Sequence, residues 1–531
     1  MKSMLRALFI IILVLAAAGC SANGGTAEPG ASGNAGEKGN ADTQGVKDNE
    51  IVIAVNENFI TMDPHATGDR NSGAVQSGIL EGLVEENNGK IAPLLAESFE
   101  ANEEATEYTF KLRKGIKFHD GTDFNAAAVK KNLERIADEA NGLRLYSRGF
   151  NNIKSIEAPD DYTIKITLNH PNSSFMAKLV PAKIVSPKAL ESGDISKHPV
   201  GTGPYQFVEW IQGDSLTVQR NPSYWNPDSK AAIEKITFKP VPENGSRVAM
   251  LKTGEADFIY PLPVQNMEEL KATEGVEVTA SDSTILRYVT LNTMKKPFDD
   301  VRVRQALNYA VNKDAYISVV MSGLATPLDS NLTRTIDFYQ PQSGTYTYDP
   351  EKAKQLLAEA GYPDGFSATI WGNTNSDTLK GMQFIQQQLS QIGVKLKIES
   401  IEEATLSDKI YGGVTPEEAE VEMWYVSWGS QATDTDNAIS PIHGTANFPP
   451  TGGNASYYSN TEVDNWLQAA NETTDREKKQ ELYGKVQSTI YREAPWIFLA
   501  SDQNVSGKRS SLDGVFITPQ GRINYNNASL K

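Results

Sequence analysis

The pattern of apolar and polar positions alternates strand-like runs with helical stretches from residue 51 onward. Residues 51–55 form a β-branched run, and residues 106–112 alternate polar and apolar side chains as a half-buried strand does. The runs 153–158 and 162–168 flank a Pro-Asp-Asp turn and predict a hairpin. This alternation, without an evident repeat of fixed period, predicts an α/β protein.

Helix boundaries are marked by capping residues. Asn125 predicts the start of a helix that runs to about Glu139. Asp349 and Pro350 predict another start, and Gly361 predicts its end. A strand, a helix closed by Gly393 and a further strand are predicted over residues 366–371, 377–392 and 394–400. Residues 86–240 are instead dominated by short strands and hairpins, which favours two lobes of different make-up.

The N-terminus has the pattern of an export signal. Lys2 and Arg6 precede a run of twelve apolar residues, 7–18, which is too short to span a bilayer comfortably. The run ends in AAAGC (residues 16–20), which resembles the lipobox of bacterial lipoproteins, with Ala17 in the place of the usual Leu. We expect residues 1–19 to be a lipoprotein signal peptide and Cys20 to be lipidated. Ordinary secretory cleavage beside an unmodified Cys20 is the alternative.

Residues 21–50 contain seven Gly and few apolar side chains, which predicts a disordered tether from Cys20 to residue 50. The expected location is the outer face of the bacterial cytoplasmic membrane, or its periplasmic side, with the lipid as the membrane anchor. The sequence has no second hydrophobic segment approaching 18 residues. Transport across the bilayer is therefore expected to need a partner.

Composition excludes several classes of protein. A chain of 531 residues has the length of three or four domain-sized units, and its single Cys excludes an intrachain disulfide framework and a Cys-based zinc site. The five His are scattered, so a multi-histidine metal centre is not expected, and no cofactor is predicted. The formal charge of −17 argues against nucleic acid as a partner.

Motifs for catalysis are missing from the sequence. It has no G-x-S-x-G, P-loop, G-x-G-x-x-G or H-E-x-x-H pattern. Residues 252–254 read KTG, as in penicillin-binding enzymes, but no Ser stands three residues before a Lys to form S-x-x-K. We interpret KTG as a helix end with its Gly cap. The prediction is a protein that is not an enzyme; a surface peptidase or amidase is the alternative of another class.

Several blocks in order resemble the bacterial extracellular solute-binding proteins of the peptide, opine and nickel class. The first is IAPLLAESFEANEEATEYTFKLRKGIKFHDGTDFNAAAVKKNLERI at 91–136. The others are PVGTGPY (199–205), MLKTGEADF (250–258), LNTMKKPFDDVRVRQALNYAVNK (291–313), YDPEKAKQLLAEAGYPDGF (348–366) and APWIFLA (494–500). Within the class, GTDFNAAAVKKNLER, SGLATPLDSNLT and NAISPI look closest to its glutathione-binding branch.

The resemblance implies a two-lobed periplasmic-binding-protein-like fold of class C that closes on its ligand through a hinge. Lobe I is expected over 51–288, enlarged by a strand-rich subdomain at about 86–198; lobe II is expected over 289–500, with 501–531 returning to lobe I. Crossover segments are expected near residues 287–293 and 500–505. A ligand that contacts both lobes would stabilise the closed form.

The resemblance also implies a function. It is that of a monomeric substrate-binding lipoprotein of an ABC importer, which captures glutathione or short peptides and delivers them to permease and ATPase subunits. A nickel-chelate or opine carrier on the same scaffold is the alternative. His65 in an Asp-Pro-His loop is interpreted as solvated or bonded to backbone rather than as a metal ligand.

Candidate ligand residues come mainly from the segment WYVSWGSQATDTDN, residues 424–437, which is predicted to be a strand that runs into a polar loop. Peptide-binding relatives have D-P-D-N here, whose carboxylate binds the ligand ammonium. The resemblance therefore points to Asp436, with Asp434 beside it; turn-forming surface residues are the alternative. Trp428 is a candidate wall of the site, although an aromatic residue that ends a strand is as often part of the core.

Two arginines are candidates for a ligand carboxylate. Dipeptide-binding relatives carry an Arg after the strand that corresponds to 366–371, where this chain has GNTN (372–375). Arg70 lies before a predicted helix near Ser72, a favourable place for an anion. Arg287 lies at the predicted hinge. A structural ion pair is the alternative for both arginines.

Overall fold

The structure is a computed structural model that describes residues 49–531 except 67, 88–89, 144, 146–148, 229–230, 343–345 and 413–414. The predicted signal peptide, Cys20 and nearly all of the predicted tether lie outside the described residues. No helix in the part that the structure describes has both the length and the apolar character to cross a membrane.

The strands β1 to β21 are, in chain order, Glu50–Val55, Val84–Asn87, Lys90–Pro93, Ala96–Ala101, Glu107–Leu112, Ile153–Asp160, Thr163–Leu168, Tyr205–Ile211, Ser215–Arg220, Lys235–Pro240, Phe258–Tyr260, Val276–Leu291, Ala325–Pro327, Ser367–Asn373, Lys395–Ile401, Met423–Gly429, Trp496–Arg509, Leu512–Asp513, Phe516–Ile517, Ile523–Asn524 and Ser529–Leu530. The helices α1 to α14 are Arg70–Ile79, Ala126–Ala137, Phe175–Leu179, Pro187–Ser192, Asn244–Thr253, Met267–Lys271, Val301–Tyr309, Lys313–Val320, Pro350–Glu359, Ser376–Ser390, Glu403–Tyr411, Thr435–His443, Thr461–Asn471 and Arg476–Glu493.

Local capping signals are confirmed. The Asn125 side chain accepts a hydrogen bond from the Ala128 N–H at 3.0 Å and begins α2. The Asp349 side chain caps α9, whose first residue is Pro350. Gly254 ends α5 with a φ of +76°, which an L-residue adopts only with strain, so the KTG sequence is a helix end. The predicted hairpin is β6 and β7, which pair antiparallel.

A large mixed sheet organises the molecule, in the order β15-β14-β16-β12-β17-β11-β1-β10-β9-β8. At one end β1 pairs in parallel with β10 and β11. At the other end β14 pairs in parallel with β15 and β16. The long antiparallel strands β12 and β17 lie between these ends and contribute to both, so they are the backbone connection across the sheet.

The pairing of β12 with β17 is interrupted at one place. The register shifts between Asp282 and Leu286 and again between Arg287 and Tyr288. Within the interruption, the Ser283 hydroxyl donates to the Asp502 carbonyl and the Thr284 hydroxyl donates to the Ser430 carbonyl, both at 2.8 Å. The Ser283 hydroxyl thus replaces part of the interrupted ladder to β17, and Thr284 ties β12 to the residue after β16. Of the expected crossover segments, 287–293 and 500–505, the first overlaps the end of β12 and the second lies within β17.

An ion pair lies beside this interruption. Arg287 donates from Nε and Nη2 to the two carboxylate oxygens of Asp502 at 2.7 and 2.9 Å. The two side chains are 21% and 13% exposed. Burial acts to lower the pKa of Arg287, but the attraction of Asp502 outweighs it and raises that pKa above its ordinary value. The pair therefore joins β12 to β17 with two charge-assisted hydrogen bonds.

Separate apolar clusters lie on the two ends of the large sheet. The cluster at the β1 end contains Ile53, Val75, Ile79, Phe238 and Tyr525. The Tyr525 hydroxyl also donates to the Val75 carbonyl at 2.7 Å, which docks the C-terminal segment on this end. The cluster at the β14 end contains Val289, Leu307, Ile370, Ile385 and Met423. Both clusters are built from strands of the sheet and helices that cover it.

A second sheet, β4-β5-β7-β6, has its own core. Phe110, Ile164 and Ile166 of its strands pack with Val129 and Leu133 of α2. The residues of this cluster fall between 83 and 184, within and next to the segment for which a strand-rich subdomain is expected. The exact boundaries of that subdomain and of the lobes stay predictions.

We predict that Asp502→Asn lowers the free energy of unfolding by roughly 3 kcal/mol, because it leaves the mostly buried Arg287 without its counter-ion. Urea denaturation of the wild type and of the Asp502→Asn variant measures the difference in the free energy of unfolding. The matched control is Asp123→Asn, whose partner Lys117 and own side chain are 62% and 73% exposed, and for which a loss below about 1 kcal/mol is expected. Equal effects of the two substitutions would show that the Arg287–Asp502 pair contributes no more than a surface pair.

His443 is a buried histidine at the end of α12. It is 1% exposed and its ring packs against that of Trp496, with the centroids 4.2 Å apart and the planes tilted by 32°. Neither ring nitrogen has a hydrogen-bond partner among the described residues. Burial lowers the pKa of His443 from 6.5 to about 3. The imidazole is therefore neutral in the folded protein over the physiological range.

We predict that His443→Phe makes stability less sensitive to acid. Between pH 6.5 and about 3 the unfolded chain binds a proton at His443 that the folded chain does not bind, so the free energy of unfolding falls as the pH is lowered. The contribution is about 1.4 kcal/mol per pH unit, and Phe removes it while keeping the ring contact. Urea titrations at pH 7, 6 and 5 measure the slope; an unchanged slope in the variant contradicts the prediction. Part of the slope remains, because burial also lowers the pKa of His65, to about 4.

Candidate functional site

A cleft of about 1390 Å³ lies between two groups of elements. One wall comes from residues 145–181, together with Arg70 at the start of α1. The other wall comes from residues 427–452, which include the end of β16 and most of α12. The volume exceeds the roughly 300–1,000 Å³ usual for a small-molecule pocket. The cleft therefore has room for a peptide of a few residues.

Asp434 begins α12, where the sequence predicted a polar loop. Its Oδ1 accepts from the Asn437 N–H at 3.0 Å, which is the hydrogen bond of an N-cap. Thr435 is the first helical residue, a position that suits the Pro of the D-P-D-N relatives, and its hydroxyl donates to the Asp337 carbonyl. Burial, then the neighbouring Asp436, raises the pKa of Asp434. The predicted strand and polar loop are found up to Asp434, but the loop ends three residues earlier than predicted, because a helix that Pro441 obscures in the sequence begins at Thr435.

Asp436 lies in the first turn of α12 and lines the cleft. It is 7% exposed, so it is not a surface turn residue. Its Oδ1 accepts from Ser440 Oγ at 2.5 Å and from Asn471 Nδ2 at 2.7 Å. Both hydrogen bonds use the same carboxylate oxygen. The carboxylate is thus fixed in orientation at the wall of the cleft.

Lys479 balances the two carboxylates from α14. Burial lowers its pKa, and Asp434 and Asp436 act in the opposite direction. Its Nζ donates to Ser173 Oγ at 2.8 Å. Ser174 Oγ in turn donates to Asp434 Oδ2 at 3.3 Å. The loop before α3 is therefore hydrogen-bonded to the helix that carries Asp436, so the two walls of the cleft touch at this end.

Trp428 and Arg70 also line the cleft. Trp428 lies near the end of β16, opposite Leu286 of β12, and it is partly buried. Arg70 is the first residue of α1, which Asp69 caps by accepting from the Ser72 N–H at 2.7 Å. The Arg70 guanidinium has no ion-pair partner among the described residues. Three residues predicted from the sequence, Asp436, Trp428 and Arg70, therefore come together in one cleft.

Arg287, Trp424 and Tyr425 are not among the residues that line the cleft. Arg287 pairs with Asp502, which is the structural ion pair that the sequence left open as an alternative. As a ligand residue Arg287 stays a prediction, with its charge already paired in the fold. Tyr425 is 3% exposed and bonds through its hydroxyl to that of Tyr316.

Sequence reasoning missed Lys178 and an asparagine-rich wall. Lys178 of α3 lines the cleft beside Gly149. The same wall presents Asn151, Asn152, Asn169 and Asn172. A lysine in a short apolar helix carries no sequence signal for ligand binding. Only the folding of β7, α3 and the segment before β6 places it there.

No group of three or more His, Cys, Asp or Glu side chains suited to a metal ion occurs among the described residues. His65 is buried, its Nε2 lies 2.7 Å from the Lys183 carbonyl, and its Nδ1 lies 2.7 Å from Arg135 Nη1. The interpretation of His65 as a residue bonded to backbone is confirmed.

The chemistry of the cleft suits a zwitterionic ligand. It offers one oriented carboxylate, two basic side chains and an aromatic face in partly dehydrated surroundings. Opposite charges attract more strongly in such surroundings than in bulk water. An ammonium and a carboxylate on one ligand would each find a partner.

Comparison with known proteins gives consistent results. The family model for bacterial extracellular solute-binding proteins, family 5 middle, matches residues 90–449. The glutathione-binding protein GsiB of Pectobacterium atrosepticum is 42% identical over 488 residues, which cover 91% of this chain and 94% of the relative. GsiB of Escherichia coli O1:K1 / APEC is 41% identical over the same coverage.

Solved structures agree with the fold. HbpA2 of Haemophilus parasuis matches with a TM-score of 0.83 and 29% identity over 91% of this chain and 100% of that one. The periplasmic binding protein DppA of Helicobacter pylori, solved with the peptide STSA, matches with a TM-score of 0.72 and 31% identity over 91% and 98%. The predicted periplasmic-binding-protein-like α/β fold and the resemblance drawn from the sequence are both confirmed, and the chain belongs to the bacterial extracellular solute-binding proteins of family 5.

Proposed function

We propose that this protein is the solute-binding lipoprotein of an ABC importer and that its cleft captures glutathione or a short peptide for a membrane permease. The observation that carries the proposal is the buried carboxylate of Asp436, oriented at the wall of a cleft large enough for a peptide. An ammonium is the ligand group that such a carboxylate binds best. The relatives named for glutathione, and the neighbour solved with a peptide, support this ligand class.

Arg70 is the proposed partner of a ligand carboxylate. It lines the same cleft as Asp436 and is not engaged in an ion pair with a described residue. Glutathione and peptides carry an ammonium and at least one carboxylate, so both side chains gain a partner on binding. Trp428 supplies a flat apolar surface beside them. Asp434 acts through α12, whose start it caps, rather than by touching the ligand.

The proposal includes a lipid anchor on Cys20 that holds the protein at the outer face of the membrane. Capture there needs no chemistry on the ligand, only binding and release to the permease. Closure of the two lobes on the ligand would give the permease a form to recognise. The interruption between β12 and β17 is the proposed hinge.

We predict that titration calorimetry detects binding of at least one ligand from a panel of glutathione, oxidised glutathione and short peptides. The expected Kd is micromolar or tighter, which corresponds to a binding free energy of about −8 kcal/mol or more favourable. Nickel chelates and opines form the second panel. Heat from glutathione or a peptide supports the proposal. If only a nickel chelate or an opine raises the melting temperature and no peptide gives heat, the protein is instead a carrier of that alternative ligand.

We predict that Asp436→Asn weakens glutathione binding roughly 10- to 100-fold, because the ligand ammonium loses a charged partner in a partly dehydrated site. N-acetylglutathione, which has no ammonium, should bind the wild type weakly and be insensitive to the substitution. Asp123→Asn removes an exposed carboxylate outside the cleft and serves as the control. If Asp436→Asn binds glutathione as tightly as the control does, Asp436 is not the partner of the ammonium.

A further inference from the structure

Lys178 lies in the cleft with an unused charge. It is the fourth residue of α3, is partly buried, and lines the same cavity as Asp436 and Arg70. Its ammonium forms no hydrogen bond or ion pair with any residue that the structure describes. Two lysines elsewhere in the fold show the contrast: Lys479 donates to Ser173 Oγ and Lys313 donates to the Leu328 carbonyl. A partly buried lysine without a partner loses hydration without compensation.

The stem of Lys178 is held against the backbone of Gly149. Gly149 has a φ of +119°, a conformation that side-chain-bearing residues rarely adopt. A Cβ at Gly149 would lie 2.5 Å from Lys178 Cδ and 3.3 Å from its Nζ. The absence of a side chain at Gly149 lets the lysine stem lie close against the backbone. The stem of Lys178 therefore lies against Gly149, while its charged end has no partner among the residues that the structure describes.

The charges of the cleft differ from those of the whole protein. The chain carries a formal charge of −17. Among the described residues that line the cleft, Asp436 is the single carboxylate, and Arg70 and Lys178 are the arginine and the lysine. The lining thus has a surplus of one positive charge inside an acidic protein. Such a local reversal of sign draws in ligands of net negative charge.

We propose that Lys178 binds a carboxylate of the ligand and, with Asp436 and Arg70, selects peptides that carry one ammonium and two carboxylates. This inference rests on the proposed function and narrows its ligand class. A neutral dipeptide has one carboxylate and leaves either Arg70 or Lys178 unpaired in the cleft. A γ-glutamyl peptide such as glutathione has two carboxylates and one ammonium and pairs all three side chains.

The test compares wild type, Lys178→Met and Lys178→Arg by titration calorimetry. The probes are glutathione, its glycine monoethyl ester, and the analogue whose γ-glutamyl residue is replaced by 4-aminobutyrate, which lacks the α-carboxylate. We expect Lys178→Met to weaken glutathione binding roughly 10- to 100-fold and Lys178→Arg to keep most of the affinity. The loss should vanish for one of the two analogues, and that analogue identifies the carboxylate that Lys178 binds.

Two controls separate charge pairing from damage to the fold. Lys154→Met removes an exposed lysine of β6 from the same part of the chain and should leave glutathione affinity unchanged. The melting temperature shows whether the Lys178→Met variant is folded. If it is not, Lys178→Gln removes the charge while keeping a polar side chain and takes its place in the test. An equal loss for glutathione and both analogues, or no loss for glutathione, overturns the role of Lys178. Absence of glutathione binding to wild type would instead refute the proposed function.

Discussion

The antiparallel pairing of β12 with β17 is the constraint on which the rest of the structure depends. These two strands belong to both ends of the large sheet, and each end has its own apolar cluster. A continuous ladder resists bending because each residue is held by backbone hydrogen bonds. The ladder here is broken between Asp282 and Leu286, where the Ser283 hydroxyl bonds to Asp502 of β17 and the Thr284 hydroxyl bonds to Ser430 beyond β16. The Arg287–Asp502 pair restores a strong contact directly after the break.

The same pairing sets the position of the cleft. β16 pairs with β12 from Met423 to Gly429 and delivers Trp428 to the cleft wall. Six residues after Trp428, Asp434 caps α12 and thereby fixes Asp436 in the first turn of the helix. The two carboxylates consequently have different tasks although they are neighbours in sequence. Asp434 accepts hydrogen bonds from Asn437 at the helix start and from Ser174 Oγ, while Asp436 lines the cleft.

Local signals predicted much of the fold. Caps at Asn125 and Asp349, the glycine end of α5 and the β6–β7 hairpin depend on residues within a few positions, and each was found as predicted. The partner of Arg287 was not predictable in this way, because Asp502 is 215 residues distant and only the strand pairing brings it close. α12 was missed because Pro441 breaks its sequence pattern. Lys178 was missed because its role depends on Gly149 and on the opposite wall.

Charged side chains, more than amide side chains, determine which ligand the cleft selects. Many hydrogen-bonding groups of the asparagine-rich wall are already bonded to neighbouring protein groups. Asn152 donates to the His170 carbonyl at 2.9 Å and accepts from the His170 N–H at 3.0 Å. Asn169 donates to the Asn152 carbonyl at 3.2 Å, and Asn172 accepts from the Ser174 N–H at 3.1 Å.

These bonds hold the wall rigid, so its amides contribute shape more than recognition. Among the described residues, the second carboxylate oxygen of Asp436 has no hydrogen-bond partner, and Arg70 and Lys178 have no ion pair. A charged group that is removed from water and left unpaired costs more than a neutral amide in the same place. A ligand whose charges match these three side chains therefore gains most on entering the cleft, and one that lacks a single charge loses that part of the gain.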